Sequence, residues 1–401
     1  MLQQYLHFLR LPDVSRLVIV AGLARLPIGV IGLAMLMFLR ESLGSFTLAG
    51  SVVGASYIAM ALCAPVQGRL IDRHGPRVTL LVTGLIQPLA MLALLACVKL
   101  ELPLAALFAC AIVAGAFSSP ITVLTRTMWR YRFADEAQRR LAFAIDAVMI
   151  EASFMLGPAL VAAVIAFAHP TAAYVMAIVI VILALQLFLR SPALQYWKHD
   201  AHAERHLLGP LTEPRLLLVF VISFGLTFCF GLLEVGYPGY ATHLSLPALG
   251  GVLLAINSAG SATGGAIYGG LHPKMSIERQ FACTLALMAL PLMLHVWVDQ
   301  IAAFAVVAFL AGMAIAPALT AQTLLVSRLA PAKYATEAFT WSSTFIVSGI
   351  GAGMAVGGVL IESVAVKSVF AAGSVVVAAM AALALLLPDT IQTEVKRACP
   401  R

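Results

Sequence analysis

The chain is a series of long apolar runs separated by short polar stretches. A helix that crosses a bilayer needs about 20 mostly apolar residues. By that measure there are twelve candidate spans, at 15–39, 47–68, 77–98, 103–125, 140–168, 171–190, 215–240, 247–270, 277–298, 300–326, 336–361 and 366–387. Turn residues lie between them, as in Ser42-Leu43-Gly44-Ser45, His169-Pro170-Thr171 and Leu329-Ala330-Pro331. Hydrocarbon offers the backbone no water, so each run has to satisfy its own hydrogen bonds as a helix. The predicted fold is an all-α membrane protein with twelve transmembrane helices.

Composition agrees with the pattern. Of 401 residues, 62% are hydrophobic and 11% charged; soluble domains run at roughly 45–50% and about 25%. The lipid bilayer is therefore the first expected partner. The formal net charge of +7 does not point to nucleic acid, because the bases sit between apolar spans and no basic run is interleaved with stacking aromatics. Five of the six cysteines fall inside apolar runs and none forms a CxxC pair, which reads as small buried hydrophobes. Arg10, Asp13 and Arg16 precede the first span, and no cleavable signal is expected.

Basic residues orient the spans. With a cytoplasmic N-terminus, 21 of the 25 Lys and Arg fall inside, only Arg40, Lys99 and Lys367 fall outside, and Arg25 lies within a span. That bias predicts both termini in the cytoplasm, with a bacterial inner membrane as the expected location. A long polar interruption follows span six. It divides the chain into a six-helix bundle at 1–190, a cytoplasmic linker at 191–214 and a second six-helix bundle at 215–401. The bundles are expected to be pseudo-symmetric. Leu48 to Leu70 lies on Leu249 to Leu271 at a constant offset, Gly157 matches Gly353, and Gly115 with Pro120 matches Gly312 with Pro317. Two duplicated six-span halves are a transporter architecture.

The turn between spans two and three is the densest charged stretch, Gly68-Arg69-Leu70-Ile71-Asp72-Arg73-His74-Gly75-Pro76-Arg77. Gly68, Leu70, Asp72, Arg73, Gly75 and the base Arg77 match the signature at this place in the major facilitator superfamily, which the whole chain resembles in span count, central loop and duplication. It departs at Ile71 and Pro76. Span five adds Ser153-Phe154-Met155-Leu156-Gly157-Pro158, similar to the Gly-x-x-x-Gly-Pro pattern of proton-coupled exporters of that superfamily, with Ser in place of the first Gly. The resemblance implies a non-enzymatic secondary transporter. It also implies that Gly68, Asp72, Arg73, Gly75 and Arg77 form a cytoplasmic latch, with Asp72 engaging the start of span eleven near Thr336. Gly68 is expected to allow close helix approach there.

Charges inside spans are costly and therefore functional candidates. Arg25 and Glu151 fall at similar depth, about 15–16 Å along spans one and five. They are expected to meet, with Glu151 exchanging the proton and Gly22, Gly29 and Gly32 leaving space beside Arg25. The bland alternative is a purely structural pair. Asp146, five residues earlier, is assigned to an inner charge cluster with Arg126, Arg130, Arg139 and Arg140. Glu234 precedes Gly236-Tyr237-Pro238-Gly239, which is expected to break span seven, and is the outer-gate candidate. Ser118, Thr122 and Thr125, Asn257 and Ser261, and Thr320 and Thr323 form polar stripes that are candidate cavity linings, although such hydroxyls often bond their own helix. The central His199, His202 and His206 fit no metal-binding spacing, and neither a metal nor a cofactor is expected.

These features lead to one reading: proton-coupled efflux of a small amphiphilic or apolar organic molecule by a monomeric antiporter. Uptake of a nutrient or organic anion by symport, and a non-transporting sensor or lipid-handling protein, are the alternatives.

Overall fold

The computed structural model describes residue 8 and residues 10–133, 135–191, 194–195, 209–271, 275–331 and 335–387. Fourteen α-helices lie among them: α1 (Val14–Leu43), α2 (Phe46–His74), α3 (Pro76–Lys99), α4 (Leu104–Ala116), α5 (Ile121–Arg132), α6 (Glu136–Phe167), α7 (Pro170–Leu189), α8 (Pro214–His243), α9 (Pro247–Gly270), α10 (Ile277–Leu294), α11 (Ile301–Gly312), α12 (Ile315–Leu329), α13 (Ala335–Ser363) and α14 (Ser368–Ala384). Ten stretches are long and apolar enough to cross a membrane, with α4–α5 and α11–α12 each counted as one. With α9 and α14 they make the expected twelve.

Helix ends follow local chemistry. Gly44 takes the left-handed conformation at φ 69° and closes α1 by donating its N–H to the Arg40 carbonyl at 2.9 Å. Gly75, at φ 82°, is the single residue between α2 and α3, and Pro76 starts α3 where its missing N–H costs nothing. The charged stretch is thus a tight helix-to-helix turn. Asp135 caps α6 by accepting from the Gln138 N–H.

The chain divides into two compact units, Met1–Gly44 with Ala55–Ala203, and Ser45–Gly54 with Glu204–Arg401. In the first, α1 packs along α6 and α7, and α3 along α4 and α7. In the second, α8 packs along α13 and α14, and α9 along α11. Glycines set the closest crossings. A Cβ on Gly157 would stand 2.7 Å from the Gly29 Cα, and one on Gly353 would stand 3.0 Å from the Gly231 Cα. A Cβ on Gly115 would overlap the Ser56 carbonyl, and one on Gly312 the Asn257 carbonyl. Ser56 and Asn257 are equivalent in the offset that aligns Leu48 with Leu249. The same two backbone-to-backbone crossings therefore recur in each unit, as expected of a duplication.

Three local expectations are corrected. Among the described residues a Cβ at Gly68 would meet nothing within 4 Å, so no described helix approaches closely there. The face of α1 around Arg25 is filled: Gly22 faces Met149, Gly29 faces Ser153 and Gly157, and Gly32 faces Tyr57. Their small size admits a neighbouring helix rather than space. Finally, α8 runs unbroken through Pro238 to His243. Gly250 of α9 packs directly on the proline, its notional Cβ 2.7 Å from the Pro238 Cα. Dense packing around this segment holds it helical despite the missing donor.

Candidate functional site

The first unit holds a buried ion pair. Arg25 of α1 places Nη2 2.5 Å from Oδ1 of Asp146 on α6, and Nη1 donates to the Asp146 carbonyl at 3.4 Å. Both side chains are closed to solvent, at 0% and 2% exposure. Trp129 of α5, itself buried, donates its indole N–H to the same Oδ1 at 3.1 Å. Arg126, one turn earlier on α5, brings Nε to 3.4 Å from Oδ2 and remains 57% exposed. Asp146 thus gathers donors from α1 and α5. Arg25 Nε is buried with no hydrogen-bond partner among the described residues, so these leave the guanidinium incompletely satisfied.

The sequence expectation paired Arg25 with Glu151, and the structure corrects it to Asp146. The cause is the start of α6. Span five was expected to begin at 140, whereas α6 begins at Glu136. Counted from there, Asp146 is ten residues along and roughly 15 Å deep; counted from Val14, Arg25 is eleven along and roughly 16 Å deep. The four added residues move Asp146, not Glu151, to the level of Arg25. Glu151 is half-buried, five residues on and about 140° round the helix, and makes interactions of its own. Asp146 does belong to a basic cluster through Arg126, as expected, but its nearer partner is Arg25.

The equivalent place in the second unit is neutral. The register that aligns Gly29 with Gly231 puts Thr227 opposite Arg25, and the register that aligns Gly157 with Gly353 puts Ser342 opposite Asp146. Thr227 donates to its own helix at the Ser223 carbonyl, 2.9 Å away, and Ser342 accepts from buried Gln322 at 2.8 Å. Only the first unit carries a charged pair at this position.

Above the pair, the fourth span is interrupted. Phe117 to Pro120 separate α4 from α5, and side chains of α2 and α3 satisfy the freed groups. Gln67 donates to the Ala116 carbonyl at 2.7 Å, Gln87 accepts from the Ser119 N–H at 3.3 Å, and Thr83 meets the Ser119 hydroxyl at 3.1 Å. The tenth span breaks more briefly, at Met313 and Ala314. Both interruptions fall at the matched pairs, Gly115 with Pro120 and Gly312 with Pro317. Gln67, Thr83 and Gln87 were not among the predicted residues; three buried polar side chains near one Gly-Pro interruption were the available signal.

The remaining candidates scatter. Ser118 is half-buried in the interruption and Thr122 half-buried on α5. Thr125 is buried and donates to the Ile121 carbonyl. Asn257 is buried and donates to the Ala308 carbonyl at 2.9 Å. Ser261 is buried with its hydroxyl unpartnered. Thr320 and Thr323 are exposed and back-bond to Ala316 and Leu319. Glu234 is half-buried on α8, one turn before buried Tyr237, which approaches the His295 ring nitrogen at 3.5 Å. Arg73 and Arg77 are exposed at the α2–α3 turn. The side chains of Asp72 and Thr336, and residues His199, His202 and His206, lie outside the described residues.

The sequence of residues 17–345 matches the model of the Major Facilitator Superfamily. The chain belongs to the major facilitator superfamily. This major facilitator is therefore a secondary transporter, not an enzyme. Its fold is similar to a crystal structure of a point mutant of the nucleoside transporter NupG, with a TM-score of 0.74 at 12% identity over 93% of this chain and 99% of that one. The NupG structure without that mutation gives 0.71 at 13% identity, over 93% and 97%. A POT family transporter in complex with 5-aminolevulinic acid gives 0.69 at 12% identity, over 93% and 95%. Identities this low carry the fold alone. No curated protein matches this major facilitator.

Proposed function

We propose that this transporter exchanges protons for a small amphiphilic organic molecule, and that Asp146 is the group that takes up the proton. The observation that carries the reading is the Arg25–Asp146 pair, buried, incompletely satisfied and confined to the first half. A buried pair of this kind is weak evidence for stability, because desolvation offsets its attraction. Retention of the charge where the other half uses Thr227 and Ser342 favours a role in the transport cycle. While Arg25 holds it, Asp146 has its counter-charge; when Arg25 is drawn away, the buried carboxylate loses that partner and a proton can take its place. The excess of Lys and Arg in alternate connections supports cytoplasmic termini in a bacterial inner membrane. The Gly157-Pro158 stretch supports export.

Purified protein in vesicles carrying an interior pH dye tests the coupling. Wild type should move protons when an exported molecule is supplied, and Asp146→Asn should not. Wild-type proton movement in Asp146→Asn, with loss in Glu151→Gln, would transfer the role to Glu151. Wild-type movement in both variants would sink the reading.

A further inference from the structure

We infer that Arg126 is a substrate-contacting residue and that the molecule carried bears an anionic group; this rests on the Arg25–Asp146 reading and gives that site its ligand class. Two guanidinium groups converge on one carboxylate among the described residues. The carboxylate is not shared evenly. Asp146 Oδ1 accepts Arg25 at 2.5 Å and Trp129 at 3.1 Å, both buried. Arg126 reaches Oδ2 only through Nε, at 3.4 Å, beyond the usual range for a charge-assisted bond. Its two terminal nitrogens have no described acceptor. The short, dry interactions belong to Arg25, and the Arg126 fork is left over.

Depth makes that leftover charge informative. Counted on its own helix, Arg126 lies six residues, about 9 Å, before the end of α5 at Arg132, and inside the apolar stretch Leu104–Trp129. A guanidinium 57% exposed at that depth cannot face lipid tails, where a charge costs several kcal/mol. It opens to water within the spanning layer. Thr122, half-buried, lies four residues before it on α5, and Ser118 four before that in the interruption. The result is a short polar track ending in an uncommitted planar fork. Such a fork matches a carboxylate or phosphate, which accepts two parallel N–H bonds, and gains nothing from a cation. An anion docking on Arg126 also competes with Asp146 for positive charge, which links substrate arrival to loosening of the Arg25–Asp146 pair.

Three probes of one shape test this on the full-length protein in detergent: phenylacetate, phenylacetamide and phenethylamine. Phenylacetate should raise the thermal midpoint in a saturable way, and the amide and amine should not. Arg126→Gln should weaken the phenylacetate response by roughly tenfold or more, and Arg126→Lys should keep part of it. Arg126 is exposed, so an unaltered elution profile and unliganded midpoint are expected for both variants. Equal stabilisation by the amide or amine, an unchanged response in Arg126→Gln, or no response to any probe overturns the proposal. Phenylacetate binding that survives while Asp146→Asn still moves protons would instead retire the coupling reading and leave the anion site standing.

Discussion

Gly29 and Gly157 meet backbone to backbone, and eleven residues before Gly157 the same helix delivers Asp146 to Arg25. The close crossing of α1 and α6 and the buried pair are one construction. A side chain at Gly157 would force the helices apart and lengthen the ion pair. Gly157→Val should therefore lower stability by about 1–3 kcal/mol, read as a fall in thermal midpoint in detergent. Gly68→Ala, where a Cβ meets open space, should leave the midpoint within error. Equal loss in both would show that glycine content, rather than the crossing, matters.

Breaking the pair from one side differs from removing it. Asp146→Ala leaves the Arg25 guanidinium buried without its counter-charge, at a cost of about 3–5 kcal/mol. The double variant Arg25→Met with Asp146→Leu should recover most of that loss, because neither charge then needs desolvation. Transport should be absent in both. Chemical unfolding beside a vesicle flux assay separates the two effects; flux in the double variant would make the pair structural.

The neutral counterpart should respond more weakly. Ser342→Ala removes the acceptor of the buried Gln322 amide and should cost about 1–3 kcal/mol. Gln322→Leu together with Ser342→Ala should be near neutral. Thermal midpoints for Ser342→Ala, the double variant and Asp146→Ala check the ordering, and a Ser342→Ala loss as large as that of Asp146→Ala would deny the contrast between the halves.

His295, just beyond the end of α10, gives a pH signature. Burial pushes its pKa from 6.5 down to about 4, within a cage of Tyr237, Phe304 and Phe370. The unfolded chain takes up a proton below about 6.5 and the folded chain resists until about 4. Stability from this residue is thus full above about 6.5 and drains as pH falls towards 4, by up to about 3 kcal/mol. His295→Phe should flatten the midpoint between pH 4.5 and 7. An unaltered slope would assign the acid sensitivity to other groups.

The sequence alone determined the helical class, the twelve crossings, the duplication and the Gly75-Pro76 turn. Each follows from a property carried along one stretch: the apolar length that satisfies the backbone in lipid, the fixed φ of proline, the freedom of glycine. Arg25 was recognisable as a buried charge for the same reason. Its partner was not. Depth counted along one helix shifts by about 6 Å when that helix starts four residues earlier, enough to exchange Glu151 for Asp146. The glycines beside Arg25 looked like space, and only the neighbouring backbone shows that α6 occupies it. Arg126 was already grouped with Asp146, whereas Trp129 carried no signal until α5, restarted after Pro120, turns it towards the same carboxylate. Pairing across helices depends on where each helix begins and which face it turns, and tertiary packing decides both.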